Sequence, residues 1–307
     1  MENNERDEFT TLFFKYTEKM SKNSKMNEDT MITPDNIFQP AHKVNRDILF
    51  EIINKSHLEG STILGVENIK KLFDLVQKGK SCLILSEHVS NLDVPSMFVR
   101  FYEYPDDKLK EIFEKIIFIA GVKLNENPIV KIYTEMFTRV VIYPIRGLSE
   151  MKDKEEYREE VELAKKINLR STRKIKELRG RGNIFVMYPA GTRFRPWKPE
   201  TKKAVKETAS YLSSFDYFCC LSINGNNMAP MQHENMIREI YKKDVIVFNF
   251  GQVKESRDYI SNIYNDLDKK GITDKAKMKE IVGDKIMEEI ESLHNKADKY
   301  RLKFLNK

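Results

Sequence analysis

The sequence predicts an α/β fold in which buried strands alternate with amphipathic helices, preceded by a small all-helical N-terminal domain. Two observations carry this. From residue 79 onward, short aliphatic runs recur at 82–86, 116–120, 140–145, 184–188, 218–223 and 245–250, each apolar back to back and separated from the next by a segment of helical periodicity. Before residue 79, apolar residues instead recur at spacings of three and four. The expected division is a helical domain over 1–78 and an α/β domain over 79–307.

Taken in order, the first helical stripe is Phe9, Leu12, Phe13, Tyr16 and Met20, followed by a polar stretch over 24–39 that contains Pro34 and reads as a loop. Val44, Ile48, Leu49, Ile52 and Ile53 form a second stripe, and Ile69, Leu72, Phe73 and Val76 a third. Gly79 precedes the first strand. Asn127 and Pro128 mark a helix start, with Ile129, Ile132, Tyr133 and Met136 on one face. A long charged segment over 149–178 carries a thin apolar stripe and stops at Gly180 and Gly182. Residues 273–304 read as a final surface helix.

Composition narrows the function classes. The 307 residues suffice for one large core, or for a large core and a satellite. Charged residues make up 33%, and 53 basic residues stand against 47 acidic ones, a net of +6 that is mixed along the chain and makes no nucleic-acid arm. That surplus suits an anionic small molecule, an acidic protein or anionic headgroups. Cys82, Cys219 and Cys220 lie in apolar runs without metal-site spacing and read as reduced core residues of a cytoplasmic protein. The acidic N-terminus lacks a signal-peptide core, and no apolar run approaches the roughly 18 residues that span a bilayer. Any membrane contact is expected to be peripheral, at the inner face.

Chemistry is expected at the ends of the strands, because ligands of open α/β sheets sit beyond the strands' carboxyl ends. The first run empties into Ser86-Glu-His-Val-Ser-Asn-Leu-Asp93. Extended chain would separate His88 from Asp93 by roughly 16 Å, so a carboxylate–imidazole contact of about 3 Å requires the chain to turn into a helix. Ser90 or Asn91 would then be the N-cap, and Asp93 would sit in the first turn. Asp93 could accept the imidazole N–H and leave the other ring nitrogen facing outward as a base. A capping aspartate beside a partly exposed histidine fits the same spacing. Val140-Val-Ile-Tyr-Pro-Ile-Arg146 ends in a basic residue, which a solvated strand terminus would also explain.

Ile184-Phe-Val-Met-Tyr-Pro-Ala-Gly-Thr-Arg-Phe-Arg-Pro196 breaks a strand at Pro189, lets a ligand approach the backbone at Ala190 and Gly191, and then presents Arg193 and Arg195. In extended chain both guanidinium groups fall on one side, as forks suited to phosphate oxygens. A pair of surface arginines is the competing reading. The run over 218–230 ends in a polar turn expected to line the same cleft.

These stretches together resemble the glycerolipid acyltransferase family, which acylates glycerol-3-phosphate and lysophosphatidate. The family's first block, a His, four residues and an Asp with Ser two after the His, is matched by His88, Ser90 and Asp93. Arg146 fits the basic end of the second block, although the usual upstream glycine is missing. The third, typically Phe-Pro-Glu-Gly-Thr-Arg, is matched by Tyr188-Pro-Ala-Gly-Thr-Arg193, with Ala190 in place of Glu. That departure, and Arg193-Phe-Arg-Pro196, look like the soluble plastid-type glycerol-3-phosphate acyltransferases, whose helical N-terminal domain Phe38-Gln-Pro-Ala-His-Lys-Val-Asn-Arg46 also resembles.

The resemblance covers most of residues 35–250. It implies a mixed, mostly parallel sheet flanked by helices, an acyl groove, and no metal or bound cofactor. It also implies His88 and Asp93 as the catalytic pair, Arg146, Arg193 and Arg195 on the phosphate, and Ser90, Gly191 and Thr192 lining the substrate. The implied reaction transfers a fatty acyl group from an acyl-carrier-protein or coenzyme A thioester to the sn-1 hydroxyl of glycerol-3-phosphate, the first step of phospholipid synthesis, with oxyanion donors among the backbone amides after His88. A lysophosphatidate acyltransferase is the nearest alternative, and a non-catalytic phospholipid- or anion-binding protein the alternative from another class. A metal-dependent phosphoesterase would need further ligands, whereas His42, His57, His233 and His294 lack ligand spacing.

Overall fold

The computed structural model describes residues 2–26, 28, 31–144, 157–232 and 240–305. Among these, nine strands form one mixed sheet. Its strands are β1 (Phe38–Gln39), β2 (Thr62–Leu64), β3 (Cys82–Ser86), β4 (Ile116–Gly121), β5 (Arg139–Ile142), β6 (Ile184–Met187), β7 (Tyr217–Asn224), β10 (Val247–Phe250) and β11 (Lys254–Glu255). Two further strands, β8 (Met228–Ala229) and β9 (Ile240–Tyr241), pair with each other beside it. The order is β1-β5-β4-β6-β3-β7-β10-β2, with β11 on the start of β7. The five central strands β5, β4, β6, β3 and β7 run parallel, while β1 and β10 join them antiparallel. The mostly parallel α/β sheet predicted from the sequence is the observed one.

The strands read as continuous apolar runs because both faces are covered. Side chains alternate across a strand, so Cys82 and Ile84 of β3 enter one core layer and Leu83 and Leu85 the other. The first layer lies under α1 (Glu2–Ser21), α2 (Arg46–Ser56), α3 (Val66–Gln77), α4 (Asp93–Glu103), α5 (Asp107–Glu114) and α6 (Pro128–Thr134). In α3 the stripe Ile69, Leu72, Phe73 and Val76 is fully buried, each side chain contributing about 1.5–3 kcal/mol by leaving water. The second layer lies under α7 (Arg158–Leu178), α8 (Thr208–Leu212), α9 (Ser256–Lys269) and α10 (Lys275–Leu305). Asn127 caps α6 as its Asn-Pro sequence predicts, accepting from the amides of Ile129 and Val130.

Residues 2–78 hold the three predicted helices and also two strands that the helical periodicity does not show. Strand β1 pairs with β5 and β2 with β10, so this segment supplies both outermost strands of the sheet. At two and three residues they are too short for an alternation to be read. The core joins Phe13, Leu49 and Phe73 of this segment to Ile84, Phe98 and Phe118 without a break. Of the long charged segment predicted over 149–178, α7 covers the described part. Among the described residues no helix is long and apolar enough to cross a membrane.

Candidate active site

Strands β3 and β6 are adjacent and parallel, with Leu85 opposite Met187. Their carboxyl ends therefore release the loops that carry His88 and Arg193 side by side, in the crevice where such sheets bind ligands.

In the first loop, Nδ1 of His88 lies 2.7 Å from Oδ2 of Asp93. The same oxygen accepts the backbone N–H groups of Val89 at 2.9 Å and Ser90 at 3.1 Å. Asp93 is 2% exposed, whereas the His88 side chain keeps 21% of its surface. One buried carboxylate thus closes the turn and orients the imidazole. The helix cap differs from the expected one: Leu92 is the N-cap, without a side-chain cap bond. Ser90 is buried, its hydroxyl accepting from the Leu92 amide at 3.1 Å and facing the Met228 carbonyl at 3.4 Å, so it braces the loop instead of lining a surface. The amides of Val89 and Ser90, which directly follow His88, are engaged by Asp93.

The second loop holds the first in place. The Tyr188 ring stacks on His88 with centroids 4.2 Å apart. Its hydroxyl is buried, and burial, then the Asp93 carboxylate, hold the phenol pKa well above its usual range. The Phe194 amide donates to the His88 carbonyl at 2.8 Å. Gly191 has φ +65, a left-handed conformation that lets its amide close onto the Tyr188 carbonyl at 2.9 Å.

Arg193 is 7% exposed and Arg195 is half-buried, so the two differ in their exposure to solvent. Arg195 donates to the Thr192 hydroxyl at 3.0 Å, and its amide to the Thr201 hydroxyl at 2.9 Å, which tightens the segment into a turn. The polar turn after β7 braces the first loop, Asn226 donating to the Val89 carbonyl at 2.9 Å. Arg146 lies outside the described residues, as does His233.

A hollow opens beside His88, lined among others by Glu87, Ala190, Phe194, Thr201, Met287 and Ile290. Arg193 and Arg195 are not among its lining residues, whereas Phe194 between them is, as is Thr201, whose hydroxyl accepts from the Arg195 amide. Met287 and Ile290 come from α10, some two hundred residues beyond His88, a wall that no local motif announces. Glu87, next to His88, is buried and bound by His294 of the same helix at 2.8 Å. Among the described residues no group of three His, Cys, Asp or Glu is arranged to hold a metal ion. Cys82, Cys219 and Cys220 are buried thiols whose pKa values burial raises, that of Cys82 to about 12, so none is a thiolate nucleophile.

No protein-family model matches the chain, and no curated protein does. Among solved structures it is similar to the 1-acyl-sn-glycerophosphate (LPA) acyltransferase PlsC from Thermotoga maritima, at 16% identity over 81% of each chain with a TM-score of 0.39.

Proposed function

We propose that this chain is an acyltransferase that moves a fatty acyl group from an acyl-carrier-protein or coenzyme A thioester to the sn-1 hydroxyl of glycerol-3-phosphate. The observation that carries the reading is the His88–Asp93 contact of 2.7 Å at the rim of a hollow. A carboxylate that fixes Nδ1–H leaves Nε2 as the acceptor, which is the arrangement a general base for an alcohol needs. Nε2 takes the hydroxyl proton as the oxygen attacks the thioester carbonyl. Collapse of the tetrahedral species breaks the C–S bond, and the thiolate receives the proton that the imidazole took. No acyl-enzyme is required, in keeping with the buried thiols and the buried Ser90.

Arg193 and Arg195 are the proposed phosphate anchors, with Arg146 as a further one. Fixing the acceptor by its phosphate converts encounter into orientation, the larger part of such catalysis. The surplus of six positive charges suits an acidic carrier protein as donor.

Thiol release from acyl-coenzyme A and from acyl-carrier-protein, with glycerol-3-phosphate and with lysophosphatidate as acceptors, tests the reading. Release that depends on glycerol-3-phosphate and vanishes in folded His88→Ala supports it. Release only with lysophosphatidate moves the acceptor by one acylation step. Binding of the phosphate without thiol release from any donor leaves a carrier, and turnover retained by His88→Ala rejects the base.

A further inference from the structure

Glu87 occupies the residue between strand β3 and the His88 loop, and its side chain is 10% exposed. A buried carboxylate requires partners to offset its lost hydration. Here one oxygen, Oε2, accepts the Ile223 amide at 3.1 Å and meets Nδ1 of His294 at 2.8 Å. The Glu87 amide meanwhile donates to the Leu221 carbonyl at 2.8 Å, continuing the β3–β7 ladder one residue further. Main chain and side chain of residue 87 are therefore both fixed, and residue 88 inherits that placement.

His294 reaches this position because α10 docks at one particular turn. Its buried stripe runs through Val282, Ile286, Ile290 and Ala297, and between the last two it carries a histidine in place of an apolar residue. Two buried asparagines hold the same turn: Asn224 of β7 donates to the His294 carbonyl and Asn249 of β10 to the Leu293 carbonyl, each at 3.0 Å. Three polar contacts thus converge on residues 293 and 294, whereas the apolar stripe alone would tolerate sliding along the helix axis.

We propose that His294 is a positioning residue for the His88 base, acting through Glu87 to hold the loop end on which the imidazole is mounted. The inference rests on the reading of His88 as a general base. A purely structural docking pair would stabilise the fold without altering the base, and the two roles differ in what they predict for the loop.

The groups facing His294 are Glu87 from the loop, Lys202 from the 3-10 turn Pro199–Lys202, and Asp298 on α10 itself. Lys202 is in turn paired with Glu291 of α10. The Glu87 hydrogen bond raises the His294 pKa above the ordinary histidine range, against the opposing effects of burial and of Lys202. A raised histidine pKa means that the cationic pair is complete below about 6.5 and is lost as pH rises through the folded-state value. Deprotonation removes the charge but leaves one ring N–H that can still donate to Glu87, so the hydrogen bond to the loop end persists.

Two measurements on the full chain decide the matter. Amide hydrogen exchange at Val89 and Ser90, whose N–H groups close onto Asp93, requires no turnover. His294→Ala is expected to accelerate it about tenfold or more relative to the amides of β3, and His294→Gln, which can still donate to Glu87, to leave it close to wild type. In thiol-release kinetics, His294→Ala should lower kcat about ten- to a hundredfold, the scale of a base displaced by an ångström, with the acceptor KM unchanged. His294→Gln should keep most of kcat. Unchanged exchange in His294→Ala, or exchange in His294→Gln as fast as in His294→Ala, overturns the proposal. Accelerated exchange in a chain with no thiol release retains the positioning role and rejects acyl transfer instead.

Discussion

Replacing Asp93 by asparagine keeps the volume of a fully buried side chain and removes only its charge. The amides of Val89 and Ser90 point at Oδ2, so the asparagine carbonyl oxygen takes that place and the NH2 takes the position of Oδ1. The loop stays closed and Nδ1–H still finds an acceptor. What disappears is the negative charge that would face the imidazolium formed in the proposed transfer of the hydroxyl proton. Unit charges about 4 Å apart interact by about 4 kcal/mol at an effective dielectric constant of about 20, equivalent to about three orders of magnitude in rate. Thiol release by folded Asp93→Asn should therefore show kcat lowered about 10²–10⁴-fold, the range expected of general-base catalysis, with the acceptor KM little changed. A kcat within about tenfold of wild type, in protein whose circular dichroism matches wild type, would refute the role assigned to the pair.

Arg193→Ala and Arg195→Ala should each raise the KM for glycerol-3-phosphate about ten- to a hundredfold, as loss of a hydrogen bond to a charged group of about 1.5–3 kcal/mol implies. A fall in kcat at constant KM would place them on the transition state instead. At the end of α2, burial and then the Arg100 cation hold the His57 pKa well below the ordinary histidine range. The native state stays neutral there while the unfolded chain protonates below about 6.5. Stability should then fall with pH below that point by up to about 1.36 kcal/mol per unit. His57→Leu, compared with wild type in urea unfolding at pH 5 and pH 7, should lose this part of the slope, and an undiminished slope would assign it elsewhere.

The parallel core was legible because each of its strands is apolar on both faces, as β3 shows by sending Cys82 and Ile84 one way and Leu83 and Leu85 the other. Strands β1 and β2 were not, since their pairing is decided by β5 and β10 far along the chain. At the site, the spacing of His88 and Asp93 was enough to foresee a turn, and the contact is there. The details of that turn depend on which donors the carboxylate meets, so the cap fell on Leu92, and Ser90 turned inward. Alternation along an extended segment placed Arg193 and Arg195 together, whereas the turn closed by Thr201 separates their environments. The wall contributed by Met287, Ile290 and His294 has no local signature at all, because a final amphipathic helix does not say where along its length it docks.

The bond between the Phe194 amide and the His88 carbonyl carries one last implication. The peptide that follows His88 and the peptide that joins Arg193 to Phe194 are clasped main chain to main chain. A displacement of the later segment would consequently pull on the earlier one, without any helix or sheet having to move.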